Sequence, residues 1–117
     1  MIRNKTGVWG EVFTARYLRD NGYKILSSNY VCRFGEIDII AQIGDVVCFV
    51  EVKTRNEKTD IRPMEAVDDG KQNRLEMTAK SFLSYTKIEA ETRFDVCEVY
   101  LNDKNELSNI NYIENAF

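Results

Sequence analysis

The chain has 117 residues, a length that supports one hydrophobic core, and we predict a single domain over residues 1–117. Hydrophobic residues make up 44% of the chain and charged residues 30%, a mixture that excludes an intrinsically disordered protein. The formal net charge of −3 excludes a generally basic nucleic-acid coat, and the absence of histidine excludes imidazole catalysis and zinc sites with histidine ligands. Any catalysis must therefore use carboxylates, lysine or a metal ion.

The sequence contains no continuous apolar run long enough to cross a membrane, and its N-terminal residues have no apolar export segment. We therefore expect a cytoplasmic protein that does not span a membrane. The three cysteines are odd in number, lie far apart and occur in apolar runs, which argues against a disulfide framework and against a C-x-x-C metal site. We predict that Cys32, Cys48 and Cys97 are buried thiols.

The N-terminal half of the chain predicts one helix followed by three strands. Over residues 6–21, Trp9, Phe13 and Tyr17 recur at helical spacing. We expect this aromatic stripe to pack in the core or on a dimer surface rather than to form a base-stacking platform. β-branched and aromatic residues then predict strands over residues 23–32, 35–41 and 46–52. A short glycine-containing link joins the second strand to the third, so these two are expected to form an antiparallel hairpin.

The C-terminal half predicts a loop, a second helix and two further strands. Polar residues and the only proline predict a loop over residues 54–64, and the spacing of apolar residues predicts a helix over residues 68–86. Strands are predicted over residues 93–101 and 110–113. Because a strand, a long helix and a returning strand make a crossover connection, this order predicts an α/β fold with a mixed sheet.

Two carboxylates and a lysine are expected to meet on neighbouring strands. Regular alternation places Ile37 and Ile39 on the face of their strand opposite to Asp38, and it places Glu51 and Lys53 together on one face of the next strand. An ionised side chain beside a buried strand is costly unless it is paired or bound to a metal ion. We therefore interpret Asp38, Glu51 and Lys53 as functional residues, with a structural ion pair as the alternative.

At these residues the sequence resembles a known group of nucleases. Asp38 followed by Glu51-x-Lys53 resembles the D…(D/E)xK core of the restriction-endonuclease-like superfamily. More closely, the chain resembles the small bacterial YraN-like family, which is similar in fold to archaeal Holliday junction resolvases. The matching segments are residues 29–41, residues 49–55, the Lys71-x-x-Arg74 pair and residues 93–96. The resemblance implies a restriction-endonuclease-like mixed β-sheet flanked by helices, in the order α-β-β-β-α-β.

The resemblance also implies a homodimeric, metal-dependent endonuclease that acts on DNA, including branched or junction DNA. Asp38, Glu51 and Glu11 would hold Mg²⁺ or Mn²⁺, and Lys53 would lie beside the attacking water. Carboxylate oxygens are the ligands that Mg²⁺ prefers, and a bound cation offsets phosphate charge and lowers the pKa of its water. Ile37 is a departure, because it stands where proline is common in the superfamily. The alternative function is a non-catalytic DNA-binding or protein-docking module that retains the fold.

Other acidic residues have two interpretations each. Glu11 lies on an apolar flank of the first helix, where it is a metal-site residue, a surface acid or a partner for Arg74. Glu36 shares the strand face of Asp38, and its role stays open between the metal site and the surface. Asp95 shares a strand face with Arg93, and the two are expected to form an ion pair within the sheet.

Four basic residues are candidates for nucleic-acid binding. Lys71 and Arg74 are three positions apart on the second helix and so lie on one face, where they either contact phosphate or form salt bridges with acidic residues. Arg33 and Arg55 flank the two acidic strands, where they either clamp a nucleic-acid backbone or only increase solubility.

Overall fold

Two helices and five strands follow one another in the order that the sequence predicts. The computed structural model describes residues 5–58 and 69–117. The elements are α1 (Lys5–Asp20), β1 (Lys24–Cys32), β2 (Gly35–Ile43), β3 (Val46–Asn56), α2 (Asp69–Thr86), β4 (Glu91–Leu101) and β5 (Leu107–Ile113).

The five strands form one mixed sheet in the spatial order β1-β2-β3-β4-β5. The β2–β3 hairpin is antiparallel, as predicted, whereas β3 and β4 pair in parallel from Val46↔Glu91 to Asn56↔Leu101. A parallel pair needs a crossover connection, and α2 lies between β3 and β4 in the chain. The predicted fold class is therefore confirmed as a mixed α/β sheet flanked by helices, compatible with a restriction-endonuclease-like fold.

The central strands are buried on both faces, and each face carries its own core. The α1-side core contains Leu18 of α1 together with strand residues such as Ala41 and Val50. The α2-side core contains Phe82 of α2 together with strand residues such as Phe49. Successive residues of a strand point to opposite faces, so the nearly continuous apolar run of β3 supplies both cores.

The buried face of α1 differs from the predicted aromatic stripe. Gly10, Thr14 and Leu18 are buried against the sheet, whereas Trp9 is 41% exposed. The Thr14 hydroxyl is satisfied within the core, since it donates to the Gly10 carbonyl at 2.8 Å. Phe13 and Tyr17 of the predicted stripe pack against the α1-side core, whereas Trp9 does not, because glycine at position 10 lets α1 approach the sheet closely on the neighbouring face. The alternative of a dimer surface at Trp9 stays a prediction.

Several boundaries and burial predictions also need adjustment. The predicted loop begins after Asn56 rather than at Thr54, because β3 continues alongside β4, and residues 59–64 of that loop lie outside the described residues. Cys48 and Cys97 are buried free thiols as predicted, but Cys32 is only partly buried at the end of an edge strand. Neither helix within the described ranges combines the length and apolar character required to cross a membrane.

Candidate functional site at the separation of β2 and β3

The strand β2 departs from regular alternation at Asp38. Pairing of β1 with β2 runs through Ser28↔Ile39 and Tyr30↔Ile37, so Asn29 stands opposite Asp38, and Asn29 has a left-handed φ of 56°. Ile37 packs in the α2-side core, whereas Ile39 packs in the α1-side core. The prediction that Ile37 and Ile39 share one face is therefore wrong, because the backbone is irregular at the level of Asp38.

At the same level β3 separates from β2. Regular pairing ends at Ile39↔Val50, and the next available donor, the Val52 N–H, donates to Asp38 Oδ2 at 2.8 Å. A side-chain carboxylate thus replaces the strand carbonyl that would otherwise accept this hydrogen bond. This bond holds Asp38 at the point where the two strands part, while β3 continues in its pairing with β4.

Glu51 lies across this gap and is bound by two lysines. Its Oε1 accepts a hydrogen bond from Lys71 of α2 and lies 3.3 Å from Nζ of Lys53. Its Oε2 is buried and has no hydrogen-bond partner within residues 5–58 and 69–117. The structure therefore places Glu51 and Lys53 side by side with Asp38, and it adds Lys71 to the same cluster.

Asp38, Glu51 and Lys71 line a cavity of about 180 Å³, which we call the carboxylate cavity. Its polar side is formed by Glu36, Asp38, Glu51 and Lys71, and its apolar side includes Phe49, Phe94 and Phe117. Glu36 is exposed, so it lies at the entrance rather than in the interior. The cavity therefore combines three carboxylates and a lysine with an aromatic wall.

Burial and neighbouring carboxylates change the proton affinity of this site. Burial raises the pKa of Asp38 to about 6, and the negative charges of Glu11, Glu51 and Glu36 add to the increase against the opposing Val52 N–H. For Lys71, burial alone would lower the pKa, but its hydrogen bond and ion pair with Glu51 outweigh burial and raise it. The site thus stabilises protons and cations that reduce its negative charge.

Asp38 and Glu51 fit a hard divalent cation. Both offer carboxylate oxygens, and the buried Glu51 Oε2 has no protein donor to satisfy it. Magnesium is commonly held by only one or two carboxylates, with waters and substrate phosphate completing its coordination. Across residues 5–58 and 69–117, no group of three or more Asp, Glu, Cys or His side chains is arranged to hold a metal ion. Asp38 and Glu51 are accordingly the pair that fits, and direct coordination by Glu11 stays a prediction.

Helix α1 brings Glu11 near this pair through a close contact at Gly10. A Cβ atom at Gly10 would collide with the Thr54 hydroxyl oxygen and lie 3.3 Å from Val52 Cγ1. Because glycine removes that collision, α1 approaches β3 at this point. Glu11 is then close enough for its charge to contribute to the raised pKa of Asp38.

The four predicted nucleic-acid-binding residues occupy different places. Lys71 and Arg74 line one groove beside Glu36, which agrees with their predicted common face. Arg33 lies at the β1–β2 turn with its guanidinium 4.7 Å from the centre of the Phe34 ring. Arg55 lies beyond Lys53 in a groove formed with the β4–β5 turn. Neither Arg33 nor Arg55 lines the carboxylate cavity.

The sequence analysis missed Glu98, a fifth carboxylate near the site. The parallel register pairs Glu98 of β4 with Lys53 of β3. Glu98 is only 3% exposed, its Oε1 accepts a hydrogen bond from Asn111 Nδ2 at 3.0 Å, and its Oε2 has no partner. Its signal in the sequence is a single acid within the apolar run from Val96 to Val99.

The predicted ion pair between Arg93 and Asp95 is confirmed on β4, away from the carboxylate cavity. Arg93 Nε donates to Asp95 Oδ1 at 2.9 Å, and Asp95 is fully buried. The Tyr112 hydroxyl and the Asn115 N–H also donate to Asp95, at 2.6 Å and 2.9 Å. This network is structural, because every polar atom of Asp95 is engaged within the protein.

Comparison with known proteins gives consistent matches over the whole chain. The family model described as uncharacterised protein family UPF0102 matches residues 10–99. A UPF0102 protein of Caldicellulosiruptor saccharolyticus is 43% identical over 118 residues, covering 100% of both chains, and one of Dictyoglomus turgidum is 41% identical with the same coverage. A UPF0102 protein of Clostridium acetobutylicum is 43% identical over 99% of this chain and 96% of its own.

Proposed function

The chain belongs to the uncharacterised protein family UPF0102, and from its site we propose that it is a metal-dependent endonuclease that hydrolyses phosphodiester bonds of DNA, including branched or junction DNA. One observation carries the proposal. Asp38 and Glu51 line one cavity where β2 and β3 separate. One Glu51 oxygen is buried without a hydrogen-bond donor among the described residues, and Lys53 lies 3.3 Å from the other.

Asp38 and Glu51 are the residues that would hold the cation. When bound, Mg²⁺ or Mn²⁺ supplies positive charge to the scissile phosphate and lowers the pKa of a coordinated water. Hydrolysis forms a bond from a water oxygen to phosphorus and breaks the bond to the leaving sugar oxygen, which takes up a proton. The Val52 N–H holds Asp38 in place, so this carboxylate is already oriented before substrate binds.

The two lysines supply the positive charge that belongs to the protein itself. Lys53 is 26% exposed at the side chain, so its ammonium can reach a phosphate while remaining beside Glu51. Lys71 is bound to Glu51 and would be available for phosphate contact if Glu51 held a cation. Phe49, Phe94 and Phe117 form the apolar side of the cavity, where charge interactions are stronger than in open solvent.

The proposal is tested by incubating the protein with duplex, flap and four-way DNA in the presence of Mg²⁺ or Mn²⁺. We expect cleavage by the unaltered protein and a loss of about 100-fold or more in Asp38→Asn and Lys53→Ala, the size associated with removing a group that stabilises developing charge. Asp45→Asn is the matched control, because Asp45 is an exposed acid in the β2–β3 turn, and it should cleave at the unaltered rate. Cleavage that is absent, or that persists in Asp38→Asn, refutes the endonuclease.

A second candidate function is a non-catalytic DNA-binding or protein-docking module that keeps the same fold. The observation that favours it is the occupation of Glu51 Oε1 by two ammonium groups, since this contact already offsets the carboxylate charge. Such a module would not need a divalent cation at Asp38 and Glu51.

Thermal unfolding separates the two candidates. A cation that binds only the folded protein stabilises it by about 2.7 kcal/mol at a concentration of 100 times its Kd. The endonuclease predicts a rise in Tm with Mg²⁺ or Mn²⁺ that is absent in Asp38→Asn and in Glu51→Gln. A Tm that does not respond to either cation, together with binding of DNA in EDTA, favours the module.

A further inference from the structure

A second groove lies on the other side of Asp38, between α1 and the β1–β2 strands. This α1 groove has a volume of about 410 Å³. Its floor is apolar, with Val12, Ala15 and Ile39, and its rim carries Arg16 and Arg19 of α1 opposite Ser28 and Asn29 of β1. Both arginines are exposed, and neither has an ion-pair partner among the residues that the structure describes. The groove thus offers two guanidinium groups that are not neutralised by an ion pair within the described residues.

The α1 groove and the proposed site border the same stretch of β2. Glu11 lines the groove, and the charge of Glu11 acts on Asp38. Ile39, which also lines the groove, is adjacent to Asp38 in the chain, and Asn29 stands opposite Asp38 in the strand register. The α1 groove lies on the α1 side of the sheet at this point, whereas the carboxylate cavity lies on the α2 side.

An aromatic surface borders the same groove. Arg16 lies over the Phe13 ring at 5.7 Å from its centre, and Phe13 is stacked on Trp9 with ring centres 5.8 Å apart. Trp9 is 41% exposed, so part of its indole is accessible to solvent beside Arg16. Positive charge that follows a backbone, combined with aromatic rings that stack on bases, is the combination that binds single-stranded nucleic acid.

We propose that the α1 groove binds a single-stranded nucleic-acid segment next to the cleavage site, with Arg16 and Arg19 on its phosphates and the Trp9–Phe13 pair stacked on a base. This inference rests on the proposed function and specifies its substrate as DNA with a single-stranded arm. A groove of this volume has room for a group of about the size of a small drug-like ligand, comparable to a nucleotide. A base can stack on the Trp9–Phe13 pair only when it is not already stacked within a duplex, which favours a single strand.

The test uses the fluorescence of Trp9, which is the only tryptophan in the chain. Short single-stranded oligothymidylate is titrated into the full-length protein in EDTA, so that no cleavage takes place. We expect saturable quenching of Trp9 and weaker quenching by a duplex of the same length. In Arg16→Gln/Arg19→Gln, binding should weaken by about tenfold, and the slope of log K against log salt should fall by about 1.4, at about 0.7 per lost phosphate contact.

The control is Lys80→Gln/Lys104→Gln, which removes the same charge from exposed positions on α2 and in the β4–β5 turn. It should bind with the affinity and salt slope of the unaltered protein. Equal behaviour of the two double variants, or binding of a labelled oligonucleotide without any change in Trp9 fluorescence, overturns the proposal. Quenching by duplex that equals quenching by the single strand also overturns it.

The outcomes for this groove and for the endonuclease are separable, because binding is measured without metal. Arginine-dependent quenching without cleavage of any substrate supports the groove and refutes the endonuclease. Cleavage of a flap substrate that is lost in Asp38→Asn but unchanged in Arg16→Gln/Arg19→Gln supports the endonuclease and refutes the binding role of the α1 groove.

Discussion

The Asp38 carboxylate has a structural task and an electrostatic cost. It accepts the Val52 N–H in place of a strand carbonyl, so it holds β3 at the point of separation from β2. Burial raises its pKa to about 6, and nearby carboxylates add to the increase. The folded protein therefore binds a proton at Asp38 more tightly than the unfolded chain does.

This raised pKa predicts a pH-dependent effect of Asp38→Asn. The stability that protonation contributes is fully present below the ordinary pKa of aspartate and is lost as the pH rises to about 6. A rise in the pKa of Asp38 from 3.8 to about 6 corresponds to a free-energy difference of about 3 kcal/mol. In EDTA, Asp38→Asn should therefore raise the free energy of unfolding by up to about 3 kcal/mol at about pH 8, with little effect at about pH 4.

Urea unfolding at the two pH values measures this effect. The asparagine side chain keeps an oxygen that can accept the Val52 N–H, so the comparison isolates the charge. Asp45→Asn, at an exposed turn position, should show the same small effect at both pH values. An effect of Asp38→Asn that does not change with pH would show that its charge carries no cost in the folded protein.

Glu98 is a second residue whose substitution we expect to change the free energy of unfolding. Its Oε2 is buried without a partner, and an unsatisfied buried polar atom costs about 1–3 kcal/mol. Glu98→Met replaces it with an apolar side chain that adapts to irregular spaces, and we expect a gain of that size in urea unfolding at neutral pH. A loss of stability instead would mean that Lys53, its neighbour in the β3–β4 register, depends on the negative charge.

At the scale of elements, the site depends on how closely α1 approaches β3. The buried stripe of Gly10, Thr14 and Leu18 brings the helix backbone against the strand, and Gly10 is the point of closest contact. The same contact places Glu11 near Asp38. The packing of α1 against β3 therefore also sets how close the charge of Glu11 lies to Asp38.

Gly10→Ala tests this contact. Alanine is the better helix former by about 1 kcal/mol, but its Cβ would collide with Thr54, and overpacking of this kind costs about 1–3 kcal/mol. We expect a lower free energy of unfolding in urea, partly restored by Thr54→Ala in the same chain.

Gly7→Ala is the matched control within α1. A Cβ atom at Gly7 would have no neighbour within 4 Å, so this substitution should raise the free energy of unfolding by about 0.5–1 kcal/mol. Equal stabilisation by both substitutions would show that α1 does not press on β3 at Gly10.

At the scale of the whole molecule, Asp95 joins segments that are distant in the chain. It accepts hydrogen bonds from Arg93, from the Tyr112 hydroxyl of β5 and from the Asn115 N–H. Arg93 in turn donates to the Tyr23 hydroxyl, which follows α1, at 2.7 Å. This network holds the C-terminal segment and the end of α1 to β4.

Asp95→Ala should therefore destabilise the whole fold. Removing one partner of a buried ion pair costs about 3–5 kcal/mol, which is a large part of the stability of a small domain. The loss is measured by urea unfolding, with Asp103→Ala as control, because Asp103 forms an exposed ion pair with Lys58 and its removal should have no measurable effect. Equal stability of the two variants would show that the Asp95 network does not contribute to the stability of the fold.

The homodimer that the resemblance implies stays a prediction about the whole molecule. A mass of 13.6 kDa at all concentrations in light scattering would exclude it, whereas twice that mass would support it.

The sequence by itself determined the local features of this protein. Alternation, helical spacing and turn residues predict the order of the elements, the antiparallel hairpin and the crossover, because these patterns depend on neighbours within a few residues. They also indicate that Asp38, Glu51 and Lys53 belong together, since the hairpin brings the two strands side by side.

Only the tertiary structure decided how these elements meet. The irregular backbone at Asn29 and Asp38 puts Ile37 and Ile39 in different cores, and the parallel register brings Glu98 beside Lys53. The close approach of α1 at Gly10 turns Trp9 outward and forms the α1 groove. Each of these features depends on contacts between residues far apart in the chain. The free energy of packing such residues outweighs the local preferences, which are all that a sequence pattern can report.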